Sequence, residues 1–192
     1  MNIVVFGAAG RMGRVLVAGA TGRGHEAAAF AGDALDPAAV SAAIQGRDAV
    51  LYAVEPPAGR RGDGVPGNGI LPVVRAMTTH GVRRLVCLSG GVARPGRDPE
   101  ESWFRARVIR PLFSDDSDEL RHMEVTVRQS GLAWTLVRAA RLVDEPAKHS
   151  WRAGPGYSLP HSTKIARDDV AEFMLDQLET SENVGHAVAI AW

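Results

Sequence analysis

The sequence predicts an α/β fold: a single, doubly wound, parallel sheet with helices on both faces. Three observations lead there. Strand-like and helix-like stretches alternate from end to end. An apolar strand at 2–6 runs into Gly7-Ala8-Ala9-Gly10-Arg11-Met12-Gly13 and then into a helical pattern. Finally, the 192 residues show no internal repeat and no linker, so one domain spans 1–192.

Taken in order, Asn2–Phe6 is the first strand. The glycines that follow have separate tasks: Gly7 permits a tight turn, Gly10 removes a side chain where a phosphate approaches, and Gly13 lets the helix lie close to the sheet. Val15, Leu16 and Ala18 mark one side of that first helix. The N-terminus of such a helix offers free N–H groups and a positive dipole to an anion. A second strand is expected near 26–31 and a third near 49–54. Between them Asp36-Pro37 reads as an N-cap followed by a first-turn proline, opening a helix to about Ile44. Ile70, Val73, Val74 and Met77 recur with helical period, giving a helix over about 68–80 that stops before Gly81. A strand at 84–89 follows. Leu120, Met123 and Val127 mark another helix, ended by Gly131, and 133–138 is the next strand. Asp168 or Asp169 caps the last helix, whose core face is Val170, Phe173, Met174 and Leu178, and 187–191 closes the sheet. Three segments, 55–67, 90–114 and 143–164, read as long loops at or near strand carboxyl ends, where open parallel sheets bind ligands.

Composition narrows the function. With 22 basic and 22 acidic residues the formal net charge is zero, so nothing attracts nucleic acid or an anionic membrane, and a small-molecule ligand is expected. No apolar run approaches the length of a membrane span, and no leader precedes the first strand, so a cytoplasmic setting is expected. The single cysteine, Cys87, lies in an apolar run and reads as a buried small hydrophobe. Only Lys148 and Lys164 are available as amines.

Beyond the glycine loop, several stretches resemble one family. They are Gly32-Asp33-Ala34-Leu35-Asp36-Pro37, His80-Gly81-Val82-Arg83-Arg84-Leu85-Val86 leading to Ser89, Ser130-Gly131-Leu132-Ala133-Trp134-Thr135 leading to Arg138 and Arg141-Leu142, and Ile165 to Met174. The chain resembles the atypical short-chain dehydrogenases/reductases, the group of flavin/biliverdin-IXβ reductases and nitrogen-metabolite-repressor-like NAD(P)H-binding proteins. The resemblance implies a Rossmann-type fold that binds NADP or NAD, and hydride transfer as the commonest activity. It implies cofactor contacts from Gly7, Ala9, Gly10, Arg11, Met12 and Gly13, and from Asp33, Val54 and Ser89 further along.

One departure stands out. Relatives place a strand, a basic loop for the NADP 2′-phosphate and a further strand ahead of the Gly-Asp element, whereas here Gly24-His25-Glu26-Ala27-Ala28-Ala29-Phe30-Ala31 runs directly into it. One strand of the β2–β3 region is therefore expected to be missing. Asp33 could then bond an adenosine ribose, which favours NAD, or Arg11, with Arg23, could hold a 2′-phosphate, which favours NADP. A third reading is that the adenosine end has decayed.

Candidate chemistry is sparse. The Tyr-x-x-x-Lys pair of the wider superfamily is absent, since Tyr52 is followed by Pro56 and Tyr157 by His161. Ser89 ends a strand where its hydroxyl could donate to a developing oxyanion, or could merely cap the strand. Arg141 could clamp a substrate carboxylate, or pair with Asp144 or Glu145 on the surface. His122 could act as a general acid if its helix turns it inward, although one of His122 and Glu124 should face solvent. His149, Trp151, Tyr157 and His161 suit a flat conjugated ligand, and Trp103, Phe104, Arg105 and Arg107 read as a lid or as a surface helix. No metal site is expected. The leading expectation is an NAD(P)H-dependent reductase of a small planar or carbonyl-containing molecule. A non-redox cyclase, isomerase or dehydratase and a non-enzymatic dinucleotide sensor are the alternatives. The apolar end Val188 to Trp192 should complete the chain's own sheet, with pairing to a second copy as a homodimer the lesser option.

Overall fold

The structure is a computed structural model, and it describes residues 1–55, 65–90, 114–156, 159 and 163–192. The expected strands and helices are present: β1 (Asn2–Phe6), α1 (Arg11–Gly22), β2 (Glu26–Ala29), α2 (Pro37–Ile44), β3 (Ala49–Tyr52), α3 (Val65–Asn68), α4 (Ile70–His80), β4 (Arg84–Gly90), α5 (Ser114–Gln129), β5 (Ala133–Ala139), β6 (Arg141–Val143), β7 (Arg152–Pro155), β8 (Lys164–Ala166), α6 (Arg167–Glu179) and β9 (His186–Ala191), of which α3, β6, β7 and β8 are additional. Seven strands form one sheet in the order β2-β1-β3-β4-β5-β9-β7, parallel except that β7 runs antiparallel to β9. β6 and β8 make a small parallel pair of their own.

The strands are nearly continuous apolar runs because both faces are covered. Alternation sorts their side chains. Ile3, Val5, Leu51 and Val86 pack with Met12 and Leu16 of α1 and Val170 and Met174 of α6 on one face. Val4, Phe6, Tyr52, Leu85 and Cys87 pack with α2, α4 and α5 on the other. Cys87 is fully buried, and burial pushes its thiol well above the usual range, so it is the inert core residue the sequence suggested.

Chain direction reverses at β1, since β2 lies on one side of it and β3 on the other. This switch point opens a crevice at the carboxyl ends of β1 and β3. β2 stops at Ala29, two residues short of the expected end, residues 30–36 form no strand, and among the described residues β2 is the last strand on its side of the sheet, in line with the expected loss of a strand there. Phe30 closes that side by packing on Phe6, with ring centroids 4.4 Å apart.

Three expectations need correction. α1 begins at Arg11 rather than after Gly13, and its core face is Met12, Leu16 and Ala20, while Ala18 is exposed. α6 is capped by neither aspartate: Ala166 is the N-cap, and Asp168 and Asp169 sit in the first turn, where a negative charge favours the helix dipole. The segment 143–164 is not structureless, because Arg152–Pro155 pairs with β9. Its proline sits on an edge strand, and backbone pairing of this kind leaves no side-chain periodicity to read. The C-terminal strand is as expected: β9 has neighbours on both sides and completes its own sheet, so it offers no free edge to a second copy.

Candidate active site

Two constructions meet at the strand ends. The first is made of backbone. Gly7 adopts φ 83°, and a Cβ there would lie 2.3 Å from the Ala53 carbonyl oxygen and 2.8 Å from the Val54 nitrogen. A Cβ on Gly13 would lie 2.2 Å from the Gly7 oxygen. Both glycines are demanded by the packing of turn, helix and strand. Gly10 is different: its Cβ would meet only the Gly7 oxygen at 3.2 Å and a Glu55 carboxylate oxygen at 3.8 Å. Gly10 is also the N-cap of α1 and supplies no side chain to cap it, and the first turn carries no acidic residue. The first-turn N–H groups of Arg11, Met12 and Gly13 are thus left without a side-chain cap, the arrangement of a helix N-terminus that can receive an anion. Met12 contributes backbone alone, because its side chain is fully buried.

The second construction is made of side chains. A cavity of about 120 Å³ is lined by Val54, Glu55, Leu88, Ser89, Gly90, Leu120, Ala139, Ala140 and Leu142. Ser89 is buried and donates from Oγ to Glu124 Oε1 at 2.8 Å. Arg138 donates to both oxygens of Glu124, from Nε at 2.8 Å and from Nη2 at 2.5 Å. This planar two-point grip fixes the carboxylate, and the carboxylate fixes the serine. In this arrangement the Ser89 proton is directed at Glu124, while Ser89 itself lines the cavity.

Glu124 is the residue sequence reasoning missed. It follows core residue Met123 and lies four positions after Leu120, so helical spacing puts it on the edge of the apolar face. α5 turns Glu124 inward and leaves His122 exposed, so the condition for His122 to act as a general acid is not met.

The remaining candidates are dispersed. Arg11 pairs with Asp144 at 2.6 Å, and Asp144 also holds Arg167 at 2.5 Å. Glu145 pairs with Lys164, so both acidic residues weighed as partners of Arg141 are engaged elsewhere; Arg141 itself is exposed next to cavity residues Ala140 and Leu142. Asp33 accepts the Leu35 N–H in a local turn, and Arg23 binds Asp176. Trp151 packs edge-on against Phe173 of α6, with ring centroids 6.2 Å apart, instead of toward the cleft. Tyr157, His161, Trp103, Phe104, Arg105 and Arg107 lie outside the described residues.

His149, Asp169 and Glu172 place potential ligand atoms within 4.8 Å of one another, a grouping that linear spacing hides. Their bonds give them an anchoring role. The oxygens of buried Asp169 accept the backbone N–H groups of Lys148 and His149 and the Trp192 indole N–H. His149 Nδ1 and Glu172 Oε2 are 2.7 Å apart, and this hydrogen bond holds the imidazole pKa above its ordinary value. At the far end of β4, burial pushes the Arg84 guanidinium down to about 10, while it donates to the Gln177 and Ala133 carbonyls and the Thr135 hydroxyl.

A doubly wound sheet with a glycine-built anion cradle at its switch point defines a Rossmann-type nucleotide-binding domain. A family model described as NAD(P)H-binding matches residues 26–181, and the chain belongs to that family. Solved structures share the fold at low identity. A Burkholderia pseudomallei protein named as exported is 22% identical with a TM-score of 0.83, each chain covered in full. A Veillonella parvula short-chain dehydrogenase/reductase in complex with NADP is 16% identical with a TM-score of 0.78, covering 100% of this chain and 94% of that one. An oxidoreductase from Lactococcus lactis is 18% identical with a TM-score of 0.79, covering 99% and 90%. No helix among the described residues is long and apolar enough to cross a membrane.

Proposed function

We propose that the protein is an NAD(P)H-dependent reductase of a small planar or carbonyl-containing molecule, acting at the carboxyl ends of β1, β3 and β4. The observation that carries this reading is continuity: Val54 and Glu55 border both the glycine cradle and the Ser89 cavity. A dinucleotide held by the cradle has its reactive end where a substrate can reach it. The nicotinamide supplies the hydride when bound.

The residues of this chain bind and orient. Gly7, Ala9 and Gly10 shape the loop, the N–H groups of Arg11, Met12 and Gly13 hold the phosphates, and Val54 forms the wall opposite. Leu88, Leu120 and Leu142 give the cavity apolar sides suited to a flat ligand. Ser89, fixed by Glu124, orients the ligand through its oxygen lone pairs, and Arg141 receives an anionic substrate group. The described lining residues include no histidine, lysine or tyrosine, so the proton that follows the hydride is taken from water. We take NADP as the cofactor, with Arg11 exchanging Asp144 for its phosphate, and NAD with Asp33 as the alternative. The same reading places the protein in the cytoplasm, with a small-molecule partner.

A thermal-shift titration with NADH and NADPH tests the first half: at least one raises the melting temperature at sub-millimolar concentration. Consumption of that cofactor with a quinone or a flavin as acceptor tests the second. Binding without consumption supports the non-enzymatic sensor instead, and absence of any shift overturns reductase and sensor together.

A further inference from the structure

Glu55 stands in the switch-point crevice, three residues past the end of β3 and half-buried. One carboxylate oxygen lies 3.8 Å from the point that a Cβ on Gly10 would occupy, which is the open side of the cradle. An anion bonded to the first-turn N–H groups of α1 comes within a few ångström of that carboxylate. Two like charges at such a separation repel strongly once water between them is displaced. Among the described residues, the arginines of α1 and of the start of α6 have other partners in this arrangement. Arg11 is on Asp144, Arg167 is on Asp144 from the other side, and Arg14 donates to the Ala9 carbonyl oxygen at 2.6 Å. No arginine or lysine among the described residues pairs with Glu55. The helix dipole thus attracts an anion to a place where a side chain repels it.

We propose that Glu55 is a specificity-determining residue that lowers the affinity of the cradle for pyrophosphate-bearing ligands. The assignment rests on the reading of the glycine loop as a dinucleotide cradle. Its consequence is selection by charge density: a ligand that brings a full pyrophosphate to Gly10 is penalised, and one that presents a sugar hydroxyl there gains an acceptor. This penalty falls on the half of the site whose adenosine side is already short of a strand, so the reacting end of the ligand carries more of the recognition.

Calorimetric titration of the whole chain tests this with three probes: NADH, NADPH and inorganic pyrophosphate at one fixed, low ionic strength. Glu55→Gln removes the charge and keeps the shape, and Glu55→Ala removes both. Glu182→Gln, at an exposed position in the turn before β9, removes the same unit of net charge far from the cradle. Melting curves without ligand establish that each variant is folded. Both Glu55 variants are expected to bind all three probes about tenfold more tightly than the wild type, with Glu182→Gln unchanged. Binding seen only in the Glu55 variants supports the assignment. Equal or weaker binding by folded Glu55 variants overturns it while leaving the dinucleotide reading intact. No binding by the wild type or by either Glu55 variant overturns both.

Discussion

The glycine cradle and the Ser89 cavity lie side by side but are built from opposite materials. The cradle is built of backbone, and side chains must be absent at Gly7 and Gly13 for the chain to pass at all. In the cavity, backbone merely positions three side chains, Ser89, Glu124 and Arg138, which hold one another. Removing a contact should therefore be most damaging in the second region, and adding an atom most damaging in the first.

Truncating Glu124 is the severest expected change. Glu124→Ala leaves Arg138, itself 13% exposed, with a buried unpaired charge, and should cost about 3–5 kcal/mol, read as a fall in the urea midpoint. A loss under 1 kcal/mol would mean that the two regions do not differ as described. Adding one methyl at Gly13 comes next. Gly13→Ala drives a Cβ against the Gly7 carbonyl oxygen and should destabilise by about 3 kcal/mol or prevent folding. Gly10→Ala sharpens the contrast within the cradle, since its methyl meets nothing closer than 3.2 Å. Its stability should change by less than about 1 kcal/mol, while nicotinamide-cofactor binding weakens. Equal effects at Gly10 and Gly13 would erase the distinction between a ligand-facing glycine and a packing glycine.

The smallest effect belongs to neither region. His149, whose pKa is raised by its bond to Glu172, is exposed. A folded pKa above the unfolded one stabilises the fold at low pH: the contribution is complete below the ordinary value of 6.5 and is lost as pH rises through the folded value. Urea midpoints of wild type and Glu172→Gln should differ just below pH 6.5, where Glu172 is still ionised, and converge as pH rises through the folded value. A gap that stays constant with pH would show that the pair does not titrate.

The cradle was readable because it is local. Three glycines, a strand before and a helix after are contiguous, and the physical demand that produces them acts over a dozen residues. Sequence reasoning assigned the three glycines separate tasks, and the approach of Ala53 and Val54 adds that Gly7, like Gly13, also answers to packing. The network at the cavity was illegible for the complementary reason: Ser89, Glu124 and Arg138 come from three elements and meet only when α5 lies on the sheet. His122 and Glu124 differ by half a helical turn, and the rotation of α5 decides which one enters. Asp169 shows the same limit, for it looked like a cap and is instead the acceptor that ties residues 148–149 and Trp192 to α6.

By itself, then, the sequence determined the alternation of strands and helices, the parallel sheet, the short β2 side and the place of the phosphate turn, because hydrophobic period and glycine spacing are short-range properties. Tertiary structure alone decided that Arg11 turns to Asp144, that Ser89 gives its proton to Glu124, and that Glu55 faces the cradle. Each of these depends on distances between segments far apart in the chain, which packing of helices on the sheet sets and no local pattern records.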